Sequence, residues 1–384
     1  MRRLVVVSIA IAIGFNSPAL VAQGTGVGPT MRDPVNGRNR VLPPIDTVRA
    51  RQLYVSKDPK DLPGCADRGN DPCGVMTKRK NDSTWMAHAP GQYDMRRTTY
   101  TSSAGGLDIP VYIYSPIESA PTKHPVLVWV HGGVHGDWST ELFPFVVEAI
   151  QRGYVIVAPD YRGSSGYTND FYRLIDYGGK EVDDVYSSYD FIKTLANADT
   201  TRVGIMGWSH GAFITAHILF RGKIPFKSGV SIVPVTNLIF RLSDHGPGYQ
   251  KDYAAEEGIQ GLPFEKNCGP KHDHSCIEEY MKRSPVFQAA NLEVPMMVHV
   301  ATNDSDAYFR ENQQMVYTLM ALKPNLAETK IYKEPPPGPH GFGHSFSRRV
   351  KDLRRDDSPE QIDSWNRTWA FFERTLGVST SKRQ

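Results

Sequence analysis

The stretch Val203-Gly204-Ile205-Met206-Gly207-Trp208-Ser209-His210-Gly211-Ala212-Phe213 most restricts what this chain can fold into. Its uncharged apolar run reads as a buried strand, its glycines as a turn centred on Ser209, and the small residues that follow as the start of a helix. The spacing Gly207-x-Ser209-x-Gly211 fits a serine pressed into a cramped turn, which leaves no room for side chains two residues away on either side. The Ser209 hydroxyl would then project from the carboxyl edge of a sheet. The amide of His210 would point where a carbonyl oxygen develops charge. Glycine and serine are common in loops, so this spacing needs support from the rest of the chain.

That support begins with rhythm. Tyr93–Tyr100 and Ile109–Tyr114 alternate around a glycine turn and predict an opening hairpin. Continuous apolar runs then predict buried strands at Pro125–Val130, Tyr154–Ala158, Ser228–Val233, Pro295–Val300 and Thr329–Lys333. Between them, helical spacing predicts helices at Phe143–Arg152, Glu181–Leu195, Phe213–Leu219, Phe309–Leu322 and Ser358–Leu376. Strands apolar on both faces and alternating with helices make a mostly parallel sheet covered on both sides, an α/β architecture.

The remaining segments are read differently. Arg2-Arg3, the apolar stretch Leu4–Phe15 and the break at Asn16-Ser17-Pro18 predict an export signal over residues 1–22, so a periplasmic or secreted protein. About a dozen apolar residues are too few to span a bilayer. Residues 23–92 are rich in glycine, proline and charge, and are expected to be a loosely structured extension or a small cap ahead of a main domain over 93–384. A net charge of +3 and the lack of a supporting motif argue against nucleic acid as a partner. The four cysteines, in an exported chain, suggest disulfides; proximity favours Cys65–Cys73 and Cys268–Cys276, with two other pairings open. A zinc site around Lys271-His272-Asp273-His274 has less support, because the short Cys-x-x-Cys element is absent.

A serine nucleophile needs a base, and the base needs an acid to hold its tautomer. Two loops at carboxyl strand ends supply candidates in the order serine, acid, histidine. After Pro295–Val300 comes Ala301-Thr302-Asn303-Asp304-Ser305-Asp306, where Asp304 is the preferred acid and Asp306 the alternative, being as readily a helix cap. After Thr329–Lys333 the loop holds His340, the preferred base because it follows Gly338 and precedes Gly341-Phe342, with His344 the alternative. His299 lies inside a strand and is expected to be structural. Oxyanion donors are expected from the amide of His210 and from the turn His131-Gly132-Gly133.

The pattern resembles the catalytic domain of the prolyl oligopeptidase (S9) family within the α/β-hydrolase fold. The resemblance rests on His131-Gly132-Gly133, Asp160-Tyr161-Arg162-Gly163-Ser164-Ser165-Gly166-Tyr167, Glu181-Val182-Asp183-Asp184-Val185, Gly207-Trp208-Ser209-His210-Gly211, Arg283-Ser284-Pro285 and His340-Gly341-Phe342. It implies the triad Ser209, Asp304 and His340 and cleavage of short peptides. Many members carry a β-propeller ahead of this domain; residues 23–92 have no room for one, so the expectation is a catalytic domain without it. Val134 stands where relatives often have proline. His131 stands where some use a tyrosine hydroxyl as an oxyanion donor, which leaves open donation by its imidazole or by backbone alone.

The expected chemistry is therefore acyl transfer through Ser209 with no metal or organic cofactor. The substrate is a small peptide or an ester, since a carboxylesterase uses the same triad. A cap-like segment around residues 236–285, with Tyr249, Tyr253 and Phe264, is expected to line or cover the pocket. A catalytically inactive hydrolase-fold binding protein is the third reading.

Overall fold

The computed structural model describes residues 30–32, 39–41, 74–118, 122–245, 275–339 and 341–377. The expected export signal, the side chains of all four cysteines, Lys271–His274, the aromatic residues Tyr249, Tyr253 and Phe264, and His340 lie outside the described residues. Among the described residues no helix is long and apolar enough to cross a membrane.

A short antiparallel pair, β1 (Thr30–Arg32) and β2 (Asn39–Val41), precedes the main sheet. The main sheet contains β3 (Asp94–Thr101), β4 (Asp108–Ser115), β5 (His124–Val130), β6 (Val155–Pro159), β7 (Ala198–Trp208), β8 (Ser228–Ile232), β9 (Met296–Ala301) and β10 (Ala327–Tyr332). Their spatial order is β10-β9-β8-β7-β5-β6-β4-β3. Only β4 runs against the others, pairing antiparallel with β3 and β6, while every pair from β6 to β10 is parallel. A last small pair, β11 (Val350–Lys351) and β12 (Arg354–Arg355), follows.

The two-faced burial read from the apolar runs is visible strand by strand. In β5, Val126, Val128 and Val130 enter one core layer with Ile205 and Phe213, while Leu127 and Trp129 enter the other with Trp365 and Phe372. Such alternation puts successive side chains on opposite faces, and both faces are covered. The helices Lys180–Ile192, His210–Leu219 and Phe309–Leu322 cover the first face, and Phe143–Gln151 and Pro359–Leu376 the second. Parallel strands align their carboxyl ends along one edge, so the loops after β5, β6, β7, β9 and β10 gather there.

One element departs from the sequence expectation. Residues Val75–His88, inside the segment read as loose or cap-like, form a helix that packs on the second face. Its buried residues are Lys78, Asn81 and Trp85, which share one face at spacings of three and four. Two of the three are polar, so the helix has no apolar stripe to detect. Trp85 is fully buried, its ring 4.8 Å from Tyr114 and 4.9 Å from Phe143, and it lies nearly parallel to Trp138. The segment around 236–285 also belongs partly to the body: Leu238, Leu242 and Tyr280 lie in the first core layer.

Candidate active site

Ser209 follows β7 with φ 52° and ψ −119°, a conformation a side-chain-bearing residue adopts only when its surroundings impose it. The surroundings do so by exclusion. A Cβ on Gly207 would strike the Gly211 backbone, and one on Gly211 would strike the carbonyls of Val130 and His131. The Ser209 amide donates to Ile232 O at 3.0 Å, tying the turn to β8. His210 opens the helix His210–Leu219, so its amide is among the first-turn donors that have no acceptor within a helix.

Against this turn the structure places His344. Its Nδ1 donates to Asp304, 2.9 Å from Oδ1 and 3.0 Å from Oδ2, which leaves Nε2 to accept from the Ser209 hydroxyl at 2.9 Å. All three residues are buried, Ser209 retaining 7% exposure. Burial pushes the Asp304 carboxyl above its ordinary value, and the imidazole of His344 pulls against that rise. Of the two acidic candidates the structure sets Asp304, the preferred one, against the imidazole, and it sets the alternative base, His344, at Ser209, while the preferred His340 lies outside the described residues.

The reason lies in the loop after β10. Gly338 and Gly341 pair across a tight reversal, and Gly341 and Gly343 both take positive φ. Gly343 lies so close to the acid loop that a Cβ there would meet the backbone of Asn303 and Asp304. The Ser305 amide donates to Phe342 O at 3.2 Å, and Trp208 Nε1 donates to His344 O at 3.2 Å. These contacts hold the loop against the acid loop and the elbow, and they set His344 beside Ser209.

The turn His131-Gly132-Gly133 lies directly beside the elbow. A Cβ on Gly132 would stand 2.9 Å from Trp208 O and 3.2 Å from the Ser209 Cβ, so only glycine fits. Gly133 takes φ 67°, and its carbonyl accepts from Tyr161 Oη at 2.7 Å and Gly136 N at 3.1 Å. The His131 ring stacks on Tyr161, its Nδ1 3.0 Å from Gly132 O and its Nε2 2.9 Å from Ser164 Oγ. Both ring nitrogens are therefore committed inside the turn. Of the two routes left open, backbone donation is the one this geometry favours.

Asp160 holds the turn from outside. Its Oδ1 accepts from Trp138 N at 2.7 Å and its Oδ2 from Tyr167 Oη at 2.6 Å. The buried Lys78 ammonium lies 2.5 Å from the same Oδ2. The neighbouring Arg162 is bidentate on Asp184, with both bonds at 2.7 Å. Arg283 in turn binds Asp176 at 2.7 Å. The quoted motifs Asp160–Tyr167, Glu181–Val185 and Arg283–Pro285 are thus parts of one charged scaffold. Two members of this scaffold and its surroundings, Lys78 and Arg241, carry little signal in the sequence. Lys78 carries only a helical spacing with Asn81 and Trp85, and Arg241 no local pattern.

Beneath the elbow a buried pair is left without a catalytic contact. His210 Nε2 lies 3.5 Å from Glu181 Oε1, and neither ring nitrogen has a hydrogen-bond partner. Burial drives the imidazole well below its ordinary value. Burial pushes the Glu181 carboxyl up to about 8, although the amides of Gly178 and Gly179 favour its charge. The folded state then keeps a proton that the unfolded chain releases in the ordinary carboxylate range. This contribution to stability is complete below that range and is lost as pH rises through about 8. Glu311, pushed up to about 7 by burial, acts in the same sense. Glu181→Gln is expected to flatten the decline in thermal midpoint between about pH 5 and pH 9. An unchanged slope would count against a protonated Glu181.

Residues 138–376 match the prolyl oligopeptidase family model. The chain belongs to that family. Its peptidase relatives include the uncharacterised peptidase YuxL of Bacillus subtilis (strain 168), 29% identical over 247 residues that make up 64% of this chain and 34% of YuxL. The human acylamino-acid-releasing enzyme is 27% identical over 213 residues, 54% of this chain and 28% of that enzyme. Dipeptidyl aminopeptidase BIII of Pseudoxanthomonas mexicana is 24% identical over 385 residues, 89% of this chain and 54% of its own. The chain spans well under two thirds of each. Among solved structures, the acylaminoacyl peptidase of Pyrococcus horikoshii superposes with a TM-score of 0.58 at 23% identity, covering 79% of this chain and 45% of that one. That likeness shows the α/β-hydrolase fold.

Proposed function

We propose that this family member is a serine peptidase that cleaves short peptides through an acyl-enzyme. The observation that carries this reading is the unbroken line from Ser209 Oγ through His344 to Asp304. Ser209 attacks the substrate carbonyl carbon while His344 Nε2 takes its proton, and Asp304 holds the resulting imidazolium. The amides of His210 and of the Gly132-Gly133 turn stabilise the oxyanion. The intermediate collapses as His344 protonates the departing amine, and water repeats the cycle on the Ser209 ester. Family membership and the peptidase relatives favour an amide over an ester as the substrate bond. Export, read from residues 1–22, goes with this proposal.

The test is a fluorophosphonate probe followed by peptide mapping, run beside matched coumarin amides and aryl esters of the same short peptides. Labelling at Ser209 with release from both sets is the expected result. Labelling with ester cleavage alone would turn the reading to a carboxylesterase, and no labelling would turn it to an inactive binding protein.

A further inference from the structure

Trp208 stands next to Ser209 in the chain, and its side chain is buried in the second core layer. Its Nε1 donates to His344 O at 3.2 Å, so one indole joins the neighbour of the nucleophile to the backbone of the base. A second indole, that of Trp365, donates from Nε1 to Ser347 O at 2.8 Å and holds the same loop farther on. Over the Trp208 ring lies the guanidinium of Arg348, its Cζ 4.6 Å from the ring centroid. The Arg348 amide donates to Ser345 O at 2.9 Å, which closes a turn directly after His344. Its side chain keeps 11% exposure, and its Nη1 lies 3.4 Å from Glu141 Oε2. The buried Nε has no hydrogen-bond partner among the described residues.

From this we infer that Arg348 is a positioning residue for catalysis: it braces the Trp208 indole that holds the His344 carbonyl, and so fixes the line along which Nε2 meets the Ser209 hydroxyl. The inference rests on the reading of Ser209 as nucleophile and His344 as base.

Two features carry it. The first is how little hydrogen bonding the guanidinium does where it is. It is almost wholly buried, it leaves Nε unsatisfied, and its one carboxylate contact is long. Burying such a cation is unfavourable unless another contact offsets the loss of water. Burial pushes the group below its ordinary value, and Glu141 pulls against that shift. Glu141 is partly exposed, so water screens the pair. The ring face is the better partner, because a cation–π contact strengthens as water is removed. The second feature is what the ring holds. A cation over the indole draws electron density from it and makes Nε1–H a stronger donor to the His344 carbonyl. Carbonyl and imidazole belong to one residue, so a swing of the first displaces the second. His344 Nε2 stands 2.9 Å from Ser209 Oγ, and a misplacement of about 1 Å can cost roughly a hundredfold in rate.

The experiment uses the full chain. It reads the rate of Ser209 labelling by a fluorophosphonate, kcat and KM on p-nitrophenyl acetate, and urea unfolding. Arg348→Met keeps an apolar stem over the ring without the charge. It is expected to lower kcat and the labelling rate by roughly ten- to a hundred-fold, with KM within about twofold, under conditions where its unfolding curve shows it folded. Arg348→Lys, which keeps a cation without the flat fork, should recover part of the loss. Trp208→Phe removes the N–H and should slow labelling by a similar factor. The double variant should be little slower than Trp208→Phe alone, since both changes act through one contact. Labelling of R348M at the parent's rate overturns the inference, as does a loss that R348K does not recover. Losses that multiply in the double variant overturn it too. A Glu141→Gln protein as slow as R348M assigns the effect to the ion pair and also overturns it. Should R348M not fold, Arg348→Gln, with a flat neutral group over the ring, carries the same expectation. Each outcome compares a variant with a parent that labels at Ser209; a parent without that labelling refutes the reading on which the inference rests.

Discussion

Alanine in place of His344 is expected to lower kcat/KM by about four to six orders of magnitude, and His340→Ala to leave it within about tenfold of the unaltered protein. His344 touches both other members of the triad. Its loss removes the acceptor for the Ser209 proton and the donor to the leaving group together. Because the triad acts as a unit, Ser209→Ala should cost a similar amount, and the double variant little more than either alone. Steady-state rates on the best substrate, beside fluorophosphonate labelling, measure all four proteins. An inactive His340→Ala with an active His344→Ala would reverse the assignment and require another closure of the 338–345 loop.

The second large effect concerns stability. Lys78→Met is expected to cost about 3–5 kcal/mol, the usual result of removing one partner from a buried ion pair. Lys78 and Asp160 are both almost wholly buried, the ammonium also donates to Trp138 O at 3.3 Å, and its stem lies against Gly166, where any side chain would collide. Without the ammonium, Asp160 keeps a charge beside His131 with, among the described residues, Tyr167 and the Trp138 amide to satisfy it. Lys78→Met combined with Asp160→Asn should therefore lose less than Lys78→Met alone, since Asp160 is then no longer a buried charge without its counter-ion. Urea unfolding of the four proteins reads this coupling directly. A Lys78→Met protein as stable as its parent would show that the charge is relieved elsewhere.

Where physics acts locally, the sequence was informative. The crowding at Gly207 and Gly211 fixes the elbow within five residues, so the spacing, together with the strand pattern before it and the helix pattern after it, points to Ser209. Helix Phe309–Leu322 and strand β9 stand within a residue of their apolar patterns because burial on one or two faces is written along the chain. The choice of base was different. His340 and His344 sit in the same glycine-rich loop, and what sets His344 at Ser209 is the contact of Gly343 with Asn303 and Asp304, some forty residues earlier. Helix Val75–His88 was missed because its buried face carries a lysine and an asparagine, whose partners lie at Asp160 and Thr140. Arg241 is likewise legible only once Asp306 stands beside it.

The helix that brings Lys78 to Asp160 changes where this α/β-hydrolase unit can be cut. Excision for a fusion or a shuffled library would naturally begin at β3, the first strand of the main sheet. A piece started there would leave Trp85's place among Tyr114, Trp138 and Phe143 vacant and Asp160 without its counter-ion. The smallest portable unit therefore starts no later than Gly74, and an amino-terminal fusion partner should be joined upstream of that glycine.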